Sequence, residues 1–172
     1  MKKFKDKLGK GTSSHVSMIE WTKHDDKMLD YVLNGEENKL RIALLRKGVS
    51  PLKKKSDGKT MLDVACEQGH VECLDVLLER CADVISVSKT GSSALHTAAR
   101  SGNADCIEKL LQYKVRVGSQ DPDKMTALHH AASKGHLDCV QILSINGAKL
   151  NIRDKDGRTP LLLAIQAVRE TI

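Results

Sequence analysis

The chain has 172 residues, of which 40% are hydrophobic and only 2% aromatic, so it suits one domain or a short array with an aliphatic core. Its net charge of +6 is unevenly placed: residues 1–55 hold 14 Lys+Arg against 7 Asp+Glu, and residues 56–172 hold 14 against 15. No stretch is apolar enough to cross a bilayer, and the start Met1-Lys2-Lys3-Phe4-Lys5-Asp6 leads into no signal-peptide core, which argues against secreted and membrane-spanning classes.

The first ten residues carry Lys2, Lys3, Lys5, Lys7 and Lys10, with Met1, Phe4 and Leu8 on one side of a helical projection. This is a short basic amphipathic segment of the kind that lies on anionic membrane surfaces. The competing reading is a solvated, disordered tail, since so short a peptide is not helical alone. Gly9 to Ser14 reads as a flexible linker, and Gly9-Lys10-Gly11-Thr12 lacks the upstream glycine and the Ser/Thr after lysine that a phosphate loop needs. Beyond Trp21, the only tryptophan, Asp25 or Asp26 is expected to cap a helix holding Met28, Leu29 and Val32. Asn34-Gly35 turns the chain, and Leu40, Ala43, Leu44 and Leu45 form the next apolar face. Trp21 is expected on the outer side of this first helix pair. Lys53, Lys54 and Lys55 follow as a second basic cluster, a candidate partner of the leader on phosphate-bearing surfaces.

From Ser56 onward the chain repeats itself every 33 residues: Leu62, Leu95, Leu128 and Leu161 share one phase, and Ala65, Ala98, Ala131 and Ala164 another. Turn residues open the copies, and Thr60, Ser93, Thr126 and Thr159 stand where a hydroxyl caps a first helix, with Pro160 suited to the position after the cap. Lys124 stands where the other copies have glycine, so that turn is expected to be built differently. Gly69, Gly102 and Gly135 end the first helix. Apolar residues at helical spacing mark a second helix: Val71, Leu74, Leu77 and Leu78; Ile107, Leu110 and Leu111; Leu137, Val140 and Leu143. Neither helix can be buried within one copy, so stacking must make the core.

The period and the T-P-L-H-like starts resemble ankyrin repeats. The resemblance implies an all-α helical solenoid with short turns or hairpins between helix pairs. The expected organisation is a basic leader and linker over 1–24, a degenerate capping repeat over 25–55, three repeats over 56–153, and a truncated fourth over 154–172. The basic start with Trp21, Lys23, Asp25, Asp26 and Leu29, together with Leu110-Leu111-Gln112 and Asp156-Gly157-Arg158-Thr159-Pro160-Leu161, is similar to the N-terminal part of ankycorbin and the related uveal autoantigen with coiled-coil domains and ankyrin repeats. That likeness implies association with the actin cytoskeleton and, for the basic N-terminus, binding of curved membranes. The expected location is cytoplasmic, peripheral at a membrane or with the cytoskeleton.

Cys73, Cys106 and Cys139 share one phase of the second helix, where stacked helices about 8–10 Å apart stand too far for disulfides. With Cys66 and Cys81 they read as free thiols of a reducing compartment, without the C-x₂-C spacing of a zinc site. His96 and His129 fill the histidine of T-P-L-H and are expected to hydrogen-bond within their own repeats. His70 and His136 follow the turn glycines, and His130 is expected to be exposed. No nucleophile, base and orienter stand together, so no enzyme, metal or cofactor is expected. The expected function is binding of protein partners at the turn tips and the exposed side of the first helices. The resemblance places these at Ser56, Asp57, Lys59, Glu67 and Gln68; at Lys89, Thr90, Ser92, Arg100 and Ser101; and at Pro122, Asp123, Met125, Ser133 and Lys134. Nucleic acid is disfavoured, because no aromatics interleave the lysines for base stacking.

Overall fold

The computed structural model describes residues 21–45, 50–85 and 89–170, with backbone alone over 82–85, over 89–92 and at 170. The leader lysines, Phe4 and Leu8 therefore lie outside the described residues.

The described residues contain nine helices and no strand: α1 (Lys23–Leu33), α2 (Glu37–Leu44), α3 (Met61–Gln68), α4 (Val71–Ile85), α5 (Lys89–Ser101), α6 (Ala104–Gln112), α7 (Ala127–Lys134), α8 (Leu137–Ile145) and α9 (Pro160–Glu170). The first helices α1, α3, α5, α7 and α9 pack each on the next, the second helices α2, α4, α6 and α8 form a parallel row, and each pair joins the two layers. The core runs along the seam between layers. Leu62, Leu95 and Leu128 of the first row meet Leu74, Leu77, Ile107, Leu110 and Leu143 of the second, all buried. Small residues in the first row (Ala65, Ala98, Ala99, Ala131) let backbones approach, as the period required.

The first helices α1, α3 and α7 start on one device, fuller than a lone hydroxyl. In α3 the Thr60 hydroxyl accepts from the Asp63 amide at 3.2 Å, and the Asp63 carboxylate accepts from the Thr60 amide at 2.9 Å. In α7 the Nδ1 of His129 takes the place of that carboxylate, accepting from the Thr126 amide at 3.1 Å. In α1 the cap is Thr22, and Asp25 is its reciprocal partner rather than the cap itself: the Thr22 amide donates to Asp25 Oδ2 at 2.8 Å. A carboxylate three residues into the helix satisfies amides that one placed at the cap would leave open.

Two expectations about turns are corrected. α5 begins at Lys89, which places Ser93 inside the helix, not at its cap. At two other tips an aspartate folds the loop: Asp121 accepts from the amides of Asp123 and Met125, and Asp154 from those of Asp156 and Arg158. Second, Lys124 does not build its turn differently. It takes the same left-handed conformation as its glycine counterparts, φ 58° against 82° at Gly58 and 78° at Gly157.

The repeats are also tied along the first row. The residue after each helix-ending glycine reaches back to the preceding repeat: His70 Nε2 lies 3.2 Å from the Leu33 carbonyl, Asn103 Nδ2 donates to the Cys66 carbonyl at 2.6 Å, and His136 Nε2 lies 3.2 Å from the Arg100 carbonyl. These side chains satisfy carbonyls at the ends of α1, α3 and α5. The approach explains glycine at position 102, where a Cβ would stand 2.8 Å from the His136 ring. The last helix, α9, packs on α7 through buried Pro160 and Leu163, with no second helix after it among the described residues.

Candidate functional site

The tips and the exposed side of the first row form the candidate surface. Ser56, Asp57, Glu67, Gln68, Arg100, Pro122, Asp123 and Lys134 are exposed, while Lys59, Ser101, Met125 and Ser133 are partly covered. Lys89, Thr90 and Ser92 fall in the opening turns of α5, where only backbone is described and no tip loop forms.

The structure gathers part of this set around one notch between α1 and α3. A cavity of about 190 Å³ is lined by Asp57, Lys59, Glu67 and Gln68 together with Trp21, Leu29, Leu33, Lys55, Thr60 and Val64. The floor is apolar and the rim is charged. Lys59 and Glu67 pair across it at 2.6 Å. Trp21 belongs to this notch rather than to the outer side of the first pair, because its indole N–H donates to Asp26 Oδ1 at 2.7 Å and turns the ring toward the second repeat. Sequence reasoning missed Trp21 as a member of the candidate binding surface. The available signal was Thr22-x-x-Asp25, which fixes the helix start immediately after it.

Lys53 is corrected outright as a candidate membrane contact. Its ammonium lies 3.1 Å from Asp25 Oδ2, and the two side chains are only 5% and 1% exposed. The cause lies in the repeat plan. His129, the third residue of α7, reaches forward to the following loop, its Nε2 lying 3.3 Å from the Arg158 carbonyl, and His96, 33 residues earlier in α5, does the same to the Ser119 carbonyl at 2.9 Å. In α1 the third residue is Asp25, and the following loop sets the Lys53 ammonium against it. Burial alone would raise the Asp25 carboxyl, but the Thr22 hydrogen bonds and Lys53 outweigh it and hold its pKa below the ordinary value. Lys54 and Lys55 remain exposed.

The histidines bond between repeats, not only within them. His129 accepts at Nδ1, so Nε2 carries the proton it gives to Arg158. His130 is not exposed as expected: its Nε2 meets Asp121 Oδ2 at 2.8 Å, and its ring packs edge-on to His96 with centroids 5.7 Å apart. Burial lowers the pKa of His96, and it holds the thiols protonated, at about 11 for Cys73, Cys81 and Cys139. Burial and the neighbouring Cys106 thiol raise Cys66 as well. Among the described residues no group of three His, Cys, Asp or Glu side chains converges as a metal ion requires.

A family model described as ankyrin repeats (3 copies) matches residues 28–121 and 95–172. Ankyrin repeat domain-containing protein 35 of Homo sapiens is 36% identical over 75 residues, covering 44% of this chain and 8% of that protein. The uveal autoantigen with coiled-coil domains and ankyrin repeats is 39% identical over 65 residues in Mus musculus and 38% over 72 in Homo sapiens, covering 38% and 42% of this chain and 5% of each relative. The chain thus matches less than a tenth of the length of these relatives.

Proposed function

Because the chain belongs to the ankyrin-repeat family, we propose that it is a non-enzymatic scaffold whose tip and first-helix surface binds a protein partner, anchored at the Trp21 notch. The observation that carries this reading is the composition of the notch, an apolar floor with Trp21 and Leu33 inside a rim of Lys55, Asp57, Lys59 and Glu67. Aromatic anchors inside a polar rim are where protein interfaces concentrate their binding energy. Lys59 and Glu67 neutralise one another, so the rim leaves Lys55 and Asp57, one charge of each sign, to meet a partner's polar residues around an apolar one. The test compares partners captured from cell lysate by the wild-type chain and by a Lys55→Glu, Gln68→Arg double variant, both exposed positions whose substitution leaves the fold intact. Loss of a specific partner from the variant is the expected result. A partner set identical for both chains would overturn the assignment.

In this reading the basic leader adds peripheral membrane attachment at the cytoplasmic face. What supports it is the pattern of Lys2, Lys3, Lys5, Lys7 and Lys10 around Phe4 and Leu8. Each lysine near anionic lipid contributes about 1 kcal/mol, against about 1–2 kcal/mol per residue for ordering the backbone, so attachment is weak and reversible. Lys54 and Lys55 are the lysines of the second cluster free to add to it. Removing residues 1–10 is expected to abolish sedimentation with anionic liposomes, and unchanged sedimentation would leave a soluble adaptor.

A further inference from the structure

A second cavity, of about 190 Å³, lies on α1 and α2 and is lined by His24, Lys27, Tyr31, Lys39, Ile42 and Ala43. Its electrostatics differ from those of the Trp21 notch, because two lysines and a histidine line it and no carboxylate does. His24, Lys27 and Tyr31 fall at i, i+3 and i+7 of α1, so one helix face presents all three. Lys39 comes from α2, its ammonium 5.9 Å from the centre of the Tyr31 ring. The Nε2 atom of His24 is buried and has no hydrogen-bond partner. Buried polar atoms are as a rule satisfied, so this one calls for an explanation. Lys27 is exposed and pairs with no carboxylate among the described residues. Lys39 meets Glu36 at 2.8 Å, but both side chains of that pair stand in solvent, where such contacts contribute little and a stronger anion displaces them.

We infer that this cavity binds a phosphate monoester. With a proton on Nε2 the His24 imidazole donates to a phosphate oxygen, and Lys27 and Lys39 supply two point charges. A monoester carries about −1.5 to −2 charges at pH 7, which two lysines match better than the single charge of a diester. The volume suits one such group on a small carrier, since a drug-sized ligand fills about 300–1,000 Å³. Tyr31, Ile42 and Ala43 add apolar contact beside the donors, which suits the carbon skeleton bearing the phosphate more than a free ion. Two sources present this group: a lipid headgroup with a phosphorylated inositol, and a soluble phosphate ester. The leader favours the lipid, because His24 follows Lys10 closely in sequence and the two attachments would engage one surface together. To that extent the inference rests on the membrane reading above, and what it adds is the headgroup chosen.

The test compares sedimentation of the full chain with two vesicles of matched surface charge, one carrying phosphatidylserine and the other phosphatidylinositol monophosphate. Binding to the monoester vesicle should be at least about tenfold tighter. A His24→Gln, Lys27→Gln double variant should lose that preference and keep binding to phosphatidylserine. Neither side chain belongs to the core, so the variant keeps the helical circular dichroism of the parent. Lys134→Gln, one charge fewer elsewhere, should keep the preference. In a second measurement, inositol trisphosphate should shift the His24 ring resonances of the full chain, and equally those of a chain lacking residues 1–10. Equal binding to both vesicles with no shift at His24 overturns the inference and leaves the leader reading standing. So does a preference that survives the double variant. A His24 shift without any vesicle preference keeps the cavity and assigns it to soluble esters. If sedimentation with both vesicles is then also absent, the membrane role of the leader falls by itself.

Discussion

Replacing Lys53 by Met removes one ammonium and keeps most of the alkyl stem, so the effect isolates the charge. The partner, Asp25, is 1% exposed and stays ionised at neutral pH with its depressed pKa. Breaking a buried pair by removing one member typically costs about 3–5 kcal/mol, because the remaining charge is left uncompensated. Asp25 retains hydrogen bonds from the Thr22 amide at 2.8 Å and the Thr22 hydroxyl at 2.7 Å, which places the expected loss near the lower end, about 3 kcal/mol. Repeat arrays can lose an end unit first, so the damage should appear as early unfolding of α1 and α2. Trp21 is the only tryptophan and sits at the start of α1. Urea titration followed by its fluorescence should show a transition well below the one followed by circular dichroism, and the separation should shrink in wild type. Adding Asp25→Asn to Lys53→Met should recover much of the loss. A Lys53→Met chain within about 0.5 kcal/mol of wild type, like an ordinary surface change, would refute the assignment of Lys53 to the interior.

The array should also lose stability in acid. Asp25, Asp121 and Asp154 have folded pKa values below the ordinary carboxylate value, so their contribution is complete above the unfolded value and is lost as pH falls through the folded ones. His96 adds a milder loss at higher pH: its folded pKa lies below 6.5, the unfolded chain takes up the proton first, and melting temperature should fall on acidification below that value, less so in His96→Gln. Lys124→Gly should stabilise the chain by about 0.5–1 kcal/mol in denaturant titration, since a left-handed lysine costs about that much more than it returns through unfolded-chain entropy. Native Cys73, Cys106 and Cys139 should react slowly with thiol reagents, at rates that track unfolding, because all three are buried and burial also holds the Cys73 and Cys139 thiols protonated. Rapid labelling of all three would mean that the second helices are misplaced.

The solenoid was legible because period, small residues and caps all agree: Leu62, Leu95 and Leu128 could not share a phase and serve different purposes. What the period does not carry is contact between copies. Lys53 lies in a run of three lysines and looks like surface; only the three-dimensional link from the third residue of a first helix to the next loop makes it the partner of Asp25. His130 was misplaced for the same reason, since Asp121 is nine residues away and meets it only because the tip folds back. Lys124 shows a propensity overridden: the tip held by Asp121 fixes the backbone, and lysine accepts a glycine's conformation. The notch at Trp21 was half visible. Asp57, Lys59, Glu67 and Gln68 came from the family pattern, whereas the aromatic that completes the site precedes the repeats and has no counterpart in them.

Site-specific cross-linking tests the binding surface most directly. A photo-reactive residue at Gln68, on the rim of the notch, is compared in living cells with one at Glu108, exposed on the second-helix layer. The account predicts a discrete protein adduct from position 68 that is lost when Trp21 is changed to Ala, and none from position 108. Adducts from position 108 alone would contradict it and move the interface to the opposite face of the array.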